Sequence, residues 1–565
     1  MSRIKSIGIL CLCLLRCGWS FAQAQDDNRF AVGKQLEIFN ALVKEVEMFY
    51  VDSLDVEKAV RRGIDAMLKG LDPYTEYFPE ERTDNLKFIA TGEYGGIGAV
   101  IRQRDEGVVI DEPYEGMPAQ LAGLKAGDVI LAVDTADVSK FSSEQVSNLL
   151  KGVPNSAITV KIQRPGEKKP RKIELVRRQI IVDQVIYYGV QGNHTGYIYL
   201  QGFTDKSAQE VKAAFEDLKK NHRIQSLILD LRNNGGGLLD GAVQIVNLFV
   251  PKGKEVLSTR GKIKQRDRVY RTPLEPIDTV MPLAVLINGE SASSAEIVCG
   301  ALQDLDRAIL VGERSFGKGL VQSTRDLPYE GKVKVTISKY YIPSGRCIQA
   351  IDYTHRRADG SVTAIPDSLT SVFYTSHGRP VRDGGGIRPD FEVEELQTPT
   401  MLYYLLGDNV LFDYVTQWTQ KHKTISSIDE FIYPDRDYET FKAYLREKNF
   451  SYDRQSEKVL KNLKEVADIE GFTKDDPALF ADLEAKLTPN LERDLVRYEK
   501  QIRKLIAVEI VKRYYYRKGE VIETLKEDKA LEKALSVLND SPLYRKTLNI
   551  TSGDGITSVE NSKSQ

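Results

Sequence analysis

The chain has 565 residues, 41% hydrophobic and 28% charged, the balance of a globular protein with apolar material for several cores. Its formal net charge is -2, so it has no basic footprint, and nucleic acid is excluded as a partner class. Five cysteines are too few for a disulfide scaffold of this length.

At the N-terminus Arg3 and Lys5 precede the apolar run 7–15, and Ala22-Gln23-Ala24 supplies a small-x-small site. This predicts a secretory signal over 1–24 and export to the periplasm or cell envelope. Cys11, Cys13 and Cys17 leave with it, and Cys299 and Cys347 are expected as free thiols. No second long apolar run follows, so no stable membrane anchor is expected.

Residues 25–89 read as an N-terminal helical segment. Leu36, Phe39, Leu42, Val43 and Val46 keep helical spacing, Val60, Ile64, Met67 and Leu68 repeat it, and Asp72-Pro73 ends the second helix. A packing or capping role is expected there. Over 90–178 short β-rich runs alternate with turn residues, the texture of a small β module. Residues 179–398 alternate strand and helix patterns, which predicts an α/β core. Residues 399–550 are mostly helical. Their seam Leu491, Leu495, Tyr498, Ile502 and Leu505 is expected to lie on its own domain, with a dimer contact as the rival. The Ser/Gly/Asn-rich 551–565 reads as a disordered tail. The fold class is α/β multidomain.

The chemistry concentrates in Asn288–Gln322, NGESASSAEIVCGALQDLDRAILVGERSFGKGLVQ. A strand-like run ends at Asn288-Gly289, helix formers begin near Ser293, a second strand breaks at Gly312, and Lys318 arrives between two glycines. A serine at a helix N-terminus meets free N–H groups that favour an oxyanion. A lysine in a tight, partly dry pocket can give up its proton and act as a base. Helix-capping serines and a solvated loop lysine are the ordinary alternative. Gly312 to Lys318 also fits G-x-x-x-x-G-K, but Gly319 stands where a P-loop needs Ser or Thr. G-x-S-x-G, H-E-x-x-H and clustered His/Cys sets are absent from the sequence, so neither metal nor cofactor is called for. Cys299, inside a helix, reads as a structural thiol.

The Asn288–Gln322 block resembles the active site of carboxyl-terminal processing peptidases, the tail-specific proteases. DLRNNGGGLL, YYIPSGRCIQ and GIRPD resemble that family's other blocks, in the same order. Tyr94-Gly-Gly-Ile-Gly-Ala99 with Glu115–Asp128 resembles a bacterial-type PDZ domain, and the resemblance covers about residues 30–395. It implies a crotonase/ClpP-like α/β peptidase core with an inserted PDZ-like domain. It also implies Ser293 as nucleophile, Lys318 as general base, and Gln322 as orienting amide, one helical turn further on if that segment is helical. Oxyanion donors would be the N–H groups of Ser294 and of the Gly236 region. Gly95, Gly96, Ile97 and Gly98 would receive a substrate's terminal carboxylate. Two departures stand out: Asn234-Gly-Gly-Gly237 where the family commonly has Asn-Pro-Gly-Gly, and Ser294 where it has Ala. The second sets another hydroxyl beside the nucleophile, a decoy for labelling. The implied function is a serine endopeptidase that cuts exported proteins near their C-termini, capturing apolar tails. A non-catalytic PDZ tail-binding scaffold is the alternative, and an adaptor protein and a homo-oligomer are partners left open.

Overall fold

Ser226–Asp230 and Leu283–Ile287 are buried along their whole length, and strands without a polar side need cover on both faces. The structure supplies it. In the computed structural model, which describes residues 30–80, 88, 91–357, 359–394, 398–453 and 455–550, they form the middle of a six-stranded sheet. Its order is Val185–Gln191, Thr195–Leu200, Ser226–Asp230, Leu283–Ile287, Ile309–Gly312 and Phe391–Glu392. The first pair is antiparallel and the rest run parallel. The predicted signal segment and the C-terminal tail lie outside the described residues.

Successive side chains of a strand point to opposite faces, and the two faces here have different covers. Leu227, Leu229, Val285 and Ile287 pack with the crossover helices Ser207–Asn221, Leu239–Phe249 and Ser294–Asp304. Ile228, Ala284, Leu286, Ile309 and Val311 instead meet Val521, Leu525, Leu531, Ala534 and Val537 from the end of the chain. The helical region is thus divided. A separate core gathers Leu402, Trp418, Phe441, Leu495, Ile502 and Ile510, with Leu491, Tyr498 and Leu505 packed against it, so the predicted seam lies on its own domain. The long helix Glu499–Leu525 joins the two parts through Tyr516, whose φ of 54° and ψ of -157° break it sharply.

The PDZ-like module is an antiparallel sheet in the order Ala99–Arg104, Gly107–Pro113, Val129–Val133, Ala157–Gln163 and Arg171–Val176. Its core holds Ile97, Val108, Ile110, Val146 and Ile162.

The chain divides into two compact units, residues 1–83 with 322–336, and residues 84–321 with 337–565. In the smaller one, Val56–Lys69 is a helix capped by Asp55, and Glu76–Phe78 pairs antiparallel with Lys332–Lys334. A helix over 30–49 precedes them. Its helical spacing is as expected, yet Leu36 is 64% and Leu42 57% exposed. No described helix is long and apolar enough to cross a membrane.

Candidate active site

The strand Leu283–Ile287 ends in a turn held by several hydrogen bonds. Asn288 N–H donates to Ser291 Oγ (3.0 Å), Ser291 Oγ–H to the Leu231 carbonyl (2.8 Å), and Ala292 N–H to the Asn234 carbonyl (2.9 Å). Asn233 and Asn288 exchange two further bonds, of 3.0 and 2.9 Å. Two loops that follow buried strands are thereby laid side by side at the carboxyl edge of the sheet, where open α/β sheets build their sites. Ser293 comes next, at the cap of the helix Ser294–Asp304, with a φ of 56° and ψ of -115°. A non-glycine residue held there is strained, and such strain persists where the surroundings enforce it.

What enforces it is Glu296, which is completely buried. Its Oε2 accepts the Ser293 N–H at 2.9 Å and the Lys318 N–H at 2.8 Å. Its Oε1 accepts the Gly317 N–H and the Ser315 hydroxyl, both at 2.6 Å. One carboxylate oxygen therefore joins the backbones of Ser293 and Lys318, 25 positions apart in sequence. Burial raises the Glu296 carboxyl above its ordinary value, against the four donors that lower it. The Lys318 loop is pinned from its other side as well. Ala350 N–H donates to the Gly317 carbonyl (2.8 Å), Tyr340 N–H to the Gly319 carbonyl (3.0 Å), and Gly319 N–H to Gln349 Oε1 (2.8 Å). At Gly317, with φ 89°, a Cβ would lie 2.4 Å from that of Ala350, so the residue before Lys318 has to be glycine. Ser293 and Lys318 are both half-buried.

Comparison with known proteins matches three stretches of the chain. Residues 194–356 match peptidase family S41, residues 109–164 match a PDZ domain, and residues 401–538 match "Probable PDZ-protease, C-terminal helical domain". A carboxy-terminal-processing protease of Bartonella bacilliformis is 37% identical over 325 residues, covering 57% of this chain and 74% of that protein. This chain belongs to peptidase family S41. A probable CtpA-like serine protease of Staphylococcus aureus is 34% identical over 53% of this chain and 60% of its own length. Among solved structures, the photosystem II D1 C-terminal processing protease aligns at 28% identity over 63% of this chain and 92% of that one, with a TM-score of 0.34. The protein is a serine peptidase with an S41 core, a PDZ domain, N-terminal helices and a helical C-terminal region.

Against that family, the remaining expected site residues fall as follows. Gly236 lies against Ser293: a Cβ there would be 2.8 Å from Ser293 Cβ and 3.0 Å from Ser294 N, so no side chain fits. Its own N–H, however, is held by Asn234 Oδ1 at 2.9 Å. The Ser294 hydroxyl is no decoy for labelling. The residue is 1% exposed, and its Oγ–H donates to the Gly237 carbonyl at 3.0 Å. Gln322 is not on a helix: Leu320–Asp326 is a strand. In the smaller unit its amide donates to Thr336 Oγ1 (3.1 Å), and Thr336 N–H donates to Thr75 Oγ1 (3.2 Å). Thr75 is held in turn by Asp72 (2.9 Å). The Asp72–Thr75 turn, expected only to end a helix, thus braces the strand that carries Gln322.

In the PDZ domain, the carbonyls of Gly95, Ile97 and Gly98 accept N–H groups from Gly152, Ala119 and Tyr114. Gly96 pairs with Arg178. The adjoining strand Ala99–Arg104 is paired only on its Gly107–Pro113 side among the described residues, so its other edge is open for an added strand. Cys299 and Cys347 are free thiols, and burial raises both above the ordinary thiol value, Cys299 well above it. No cluster of three or more His, Cys, Asp or Glu suited to a metal occurs among the described residues.

Proposed function

We propose that this S41 peptidase is an exported endopeptidase that cuts proteins near their C-termini with a Ser293–Lys318 dyad. The observation that carries the reading is the shared Glu296 oxygen, which locks both backbones to one buried atom. Such locking is what a nucleophile and its base require. Neutral Lys318 takes the Ser293 hydroxyl proton as Oγ attacks the scissile carbonyl. The oxyanion is met by Ser294 N–H, at the positive end of the helix Ser294–Asp304, and by a glycine amide of the 235–237 loop. Collapse breaks the C–N bond, the lysine proton passes to the leaving amine, and water repeats the sequence on the acyl-enzyme. Gln322 takes the orienting role on the family resemblance. The PDZ domain would capture an apolar tail by its carboxylate, at Gly95 to Gly98, and as a strand added to Ala99–Arg104. Export is supported by the basic and apolar pattern at 3–15.

The test is mass mapping of products from a protein substrate with an apolar C-terminal tail. Wild type releases defined fragments, whereas Ser293→Ala and Lys318→Ala bind the tail and release none. Normal turnover by Lys318→Ala would sink the dyad, and tail binding without cleavage by wild type would leave the scaffold reading. Because the base acts only when neutral, kcat rises from neutral toward alkaline pH. An optimum on the acid side of neutrality would contradict this role.

A further inference from the structure

We propose that Ser294 is a positioning residue, whose hydroxyl holds the three-glycine loop where one of its amides meets the oxyanion; this rests on the dyad reading above. The loop is chemically loose, since three successive glycines lose more backbone freedom on ordering than any other residues. On one side it is tied to Phe203, three residues past the strand Thr195–Leu200, through Phe203 N–H to the Gly236 carbonyl (3.1 Å) and Leu238 N–H to the Phe203 carbonyl (2.8 Å). Towards the nucleophile it has two ties, and they bracket the glycines. Ala292 N–H binds the Asn234 carbonyl (2.9 Å) just before them, and Ser294 Oγ–H binds the Gly237 carbonyl (3.0 Å) at their end.

The second tie comes from the residue whose own N–H is the other oxyanion donor. One residue therefore sets both halves of the hole, its amide directly and the loop amide through its hydroxyl. With the Gly236 N–H held by Asn234, the loop donor is a flanking glycine amide, and its position depends on where the Gly237 end is anchored. Gly235 offers an independent handle. A Cβ there would meet nothing within 4 Å, and its φ is outside the left-handed region. Alanine at 235 therefore stiffens the loop by removing backbone freedom, without a clash.

The experiment compares wild type, Ser293→Ala, Ser294→Ala, Ser294→Cys and Gly235→Ala/Ser294→Ala in peptide cleavage. It also measures binding of a peptide boronate, which bonds reversibly to Ser293 Oγ and places an oxygen in the hole, and of the cleaved product peptide. A displaced donor costs less than an absent one, for which losses of about 10²–10³ are typical. Ser294→Ala should therefore lower kcat and boronate affinity together by about tenfold, with KM and product affinity unchanged. Ser294→Cys, of similar size but a weaker donor, should fall between, and Gly235→Ala should return part of both losses to Ser294→Ala. Folding is checked by circular dichroism, and the graded Ser294→Cys result carries the test if Ser294→Ala does not fold. A Ser294→Ala enzyme with normal kcat and boronate affinity, a loss confined to KM, or no recovery from Gly235→Ala would overturn the proposal while an inactive Ser293→Ala leaves the dyad standing. Wild-type cleavage by Ser293→Ala would overturn both.

Discussion

Glu296 makes four hydrogen bonds with two oxygens, and each partner is Ser293, Lys318 or a residue within three positions of Lys318. Glutamine at 296 would keep one acceptor oxygen and turn an N–H₂ toward groups that are themselves donors. Glu296→Gln should therefore abolish measurable cleavage and lower stability by about 2–4 kcal/mol, read by denaturant melts. The pH dependence of that gap is specific. Burial raises the folded-state value of this carboxyl, so its contribution to stability is fully present below the ordinary carboxylate range and is lost as pH rises through the folded value. The wild-type advantage over Glu296→Gln should be widest at acid pH and narrow toward neutrality; a gap that widened with pH would show that the donors outweigh burial.

Elements of this fold are locked to one another by a few buried polar residues. Arg232, at the end of the strand Ser226–Asp230, binds Asp230 at 2.6 Å and Asp528 at 2.7 Å. Asp528 also caps the helix Lys529–Asn539 through the Leu531 N–H (3.0 Å). Asp528→Ala should lose a cap and half of a buried ion-pair network, about 2–4 kcal/mol, seen as a lower denaturation midpoint. In the smaller unit, Thr336→Val would remove the acceptor of the Gln322 amide while keeping the side chain's shape. If Gln322 orients the base, kcat should fall by about tenfold with KM unchanged, and unchanged kcat would remove Gln322 from the mechanism.

At the scale of the whole molecule, the peptidase sheet depends on residues far beyond the peptidase match. Val521, Leu525, Leu531, Ala534 and Val537 cover one face of it, and each large apolar side chain left exposed costs roughly 1.5–3 kcal/mol. A chain ending at Tyr516 should be insoluble or molten although Ser293 and Lys318 are both present, judged by expression and near-ultraviolet circular dichroism. The PDZ domain is held differently. It meets the helical region through a two-pronged Arg104–Asp413 pair (2.7 and 2.8 Å), Lys512–Glu112 (3.3 Å) and Gln420 to the Pro165 carbonyl (2.8 Å). A cavity of about 670 Å³ lies beside these contacts, lined by Lys125, Arg164 and Arg513 among others. An interface held largely by charged and polar pairs is one that can open. Asp413→Ala should lower amide-exchange protection along Ala99–Arg104 and make it less salt-sensitive, whereas a permanently docked domain would show no change.

The site's parts could be read from order along the chain: Ser293 at a helix start after a buried strand, Lys318 between glycines after the next, and the blocks resembling one peptidase family. Strand and helix patterns are local, and the parallel sheet follows from their alternation. What local pattern could not supply was partnership across distance. Glu296 reads as an ordinary first-turn acid until its oxygens are seen to meet Ser315, Gly317 and Lys318, and Thr75 reads as a turn until Thr336 comes beside it. The division of the C-terminal helices was equally hidden, because an apolar stripe does not name the surface it covers. Gln322 fell on a strand because register with Lys332–Tyr341, a tertiary matter, outweighed the helical continuation. Periodicity belongs to neighbours in sequence, while buried hydrogen bonds and shared cores belong to neighbours in space, and only folding decides who those are.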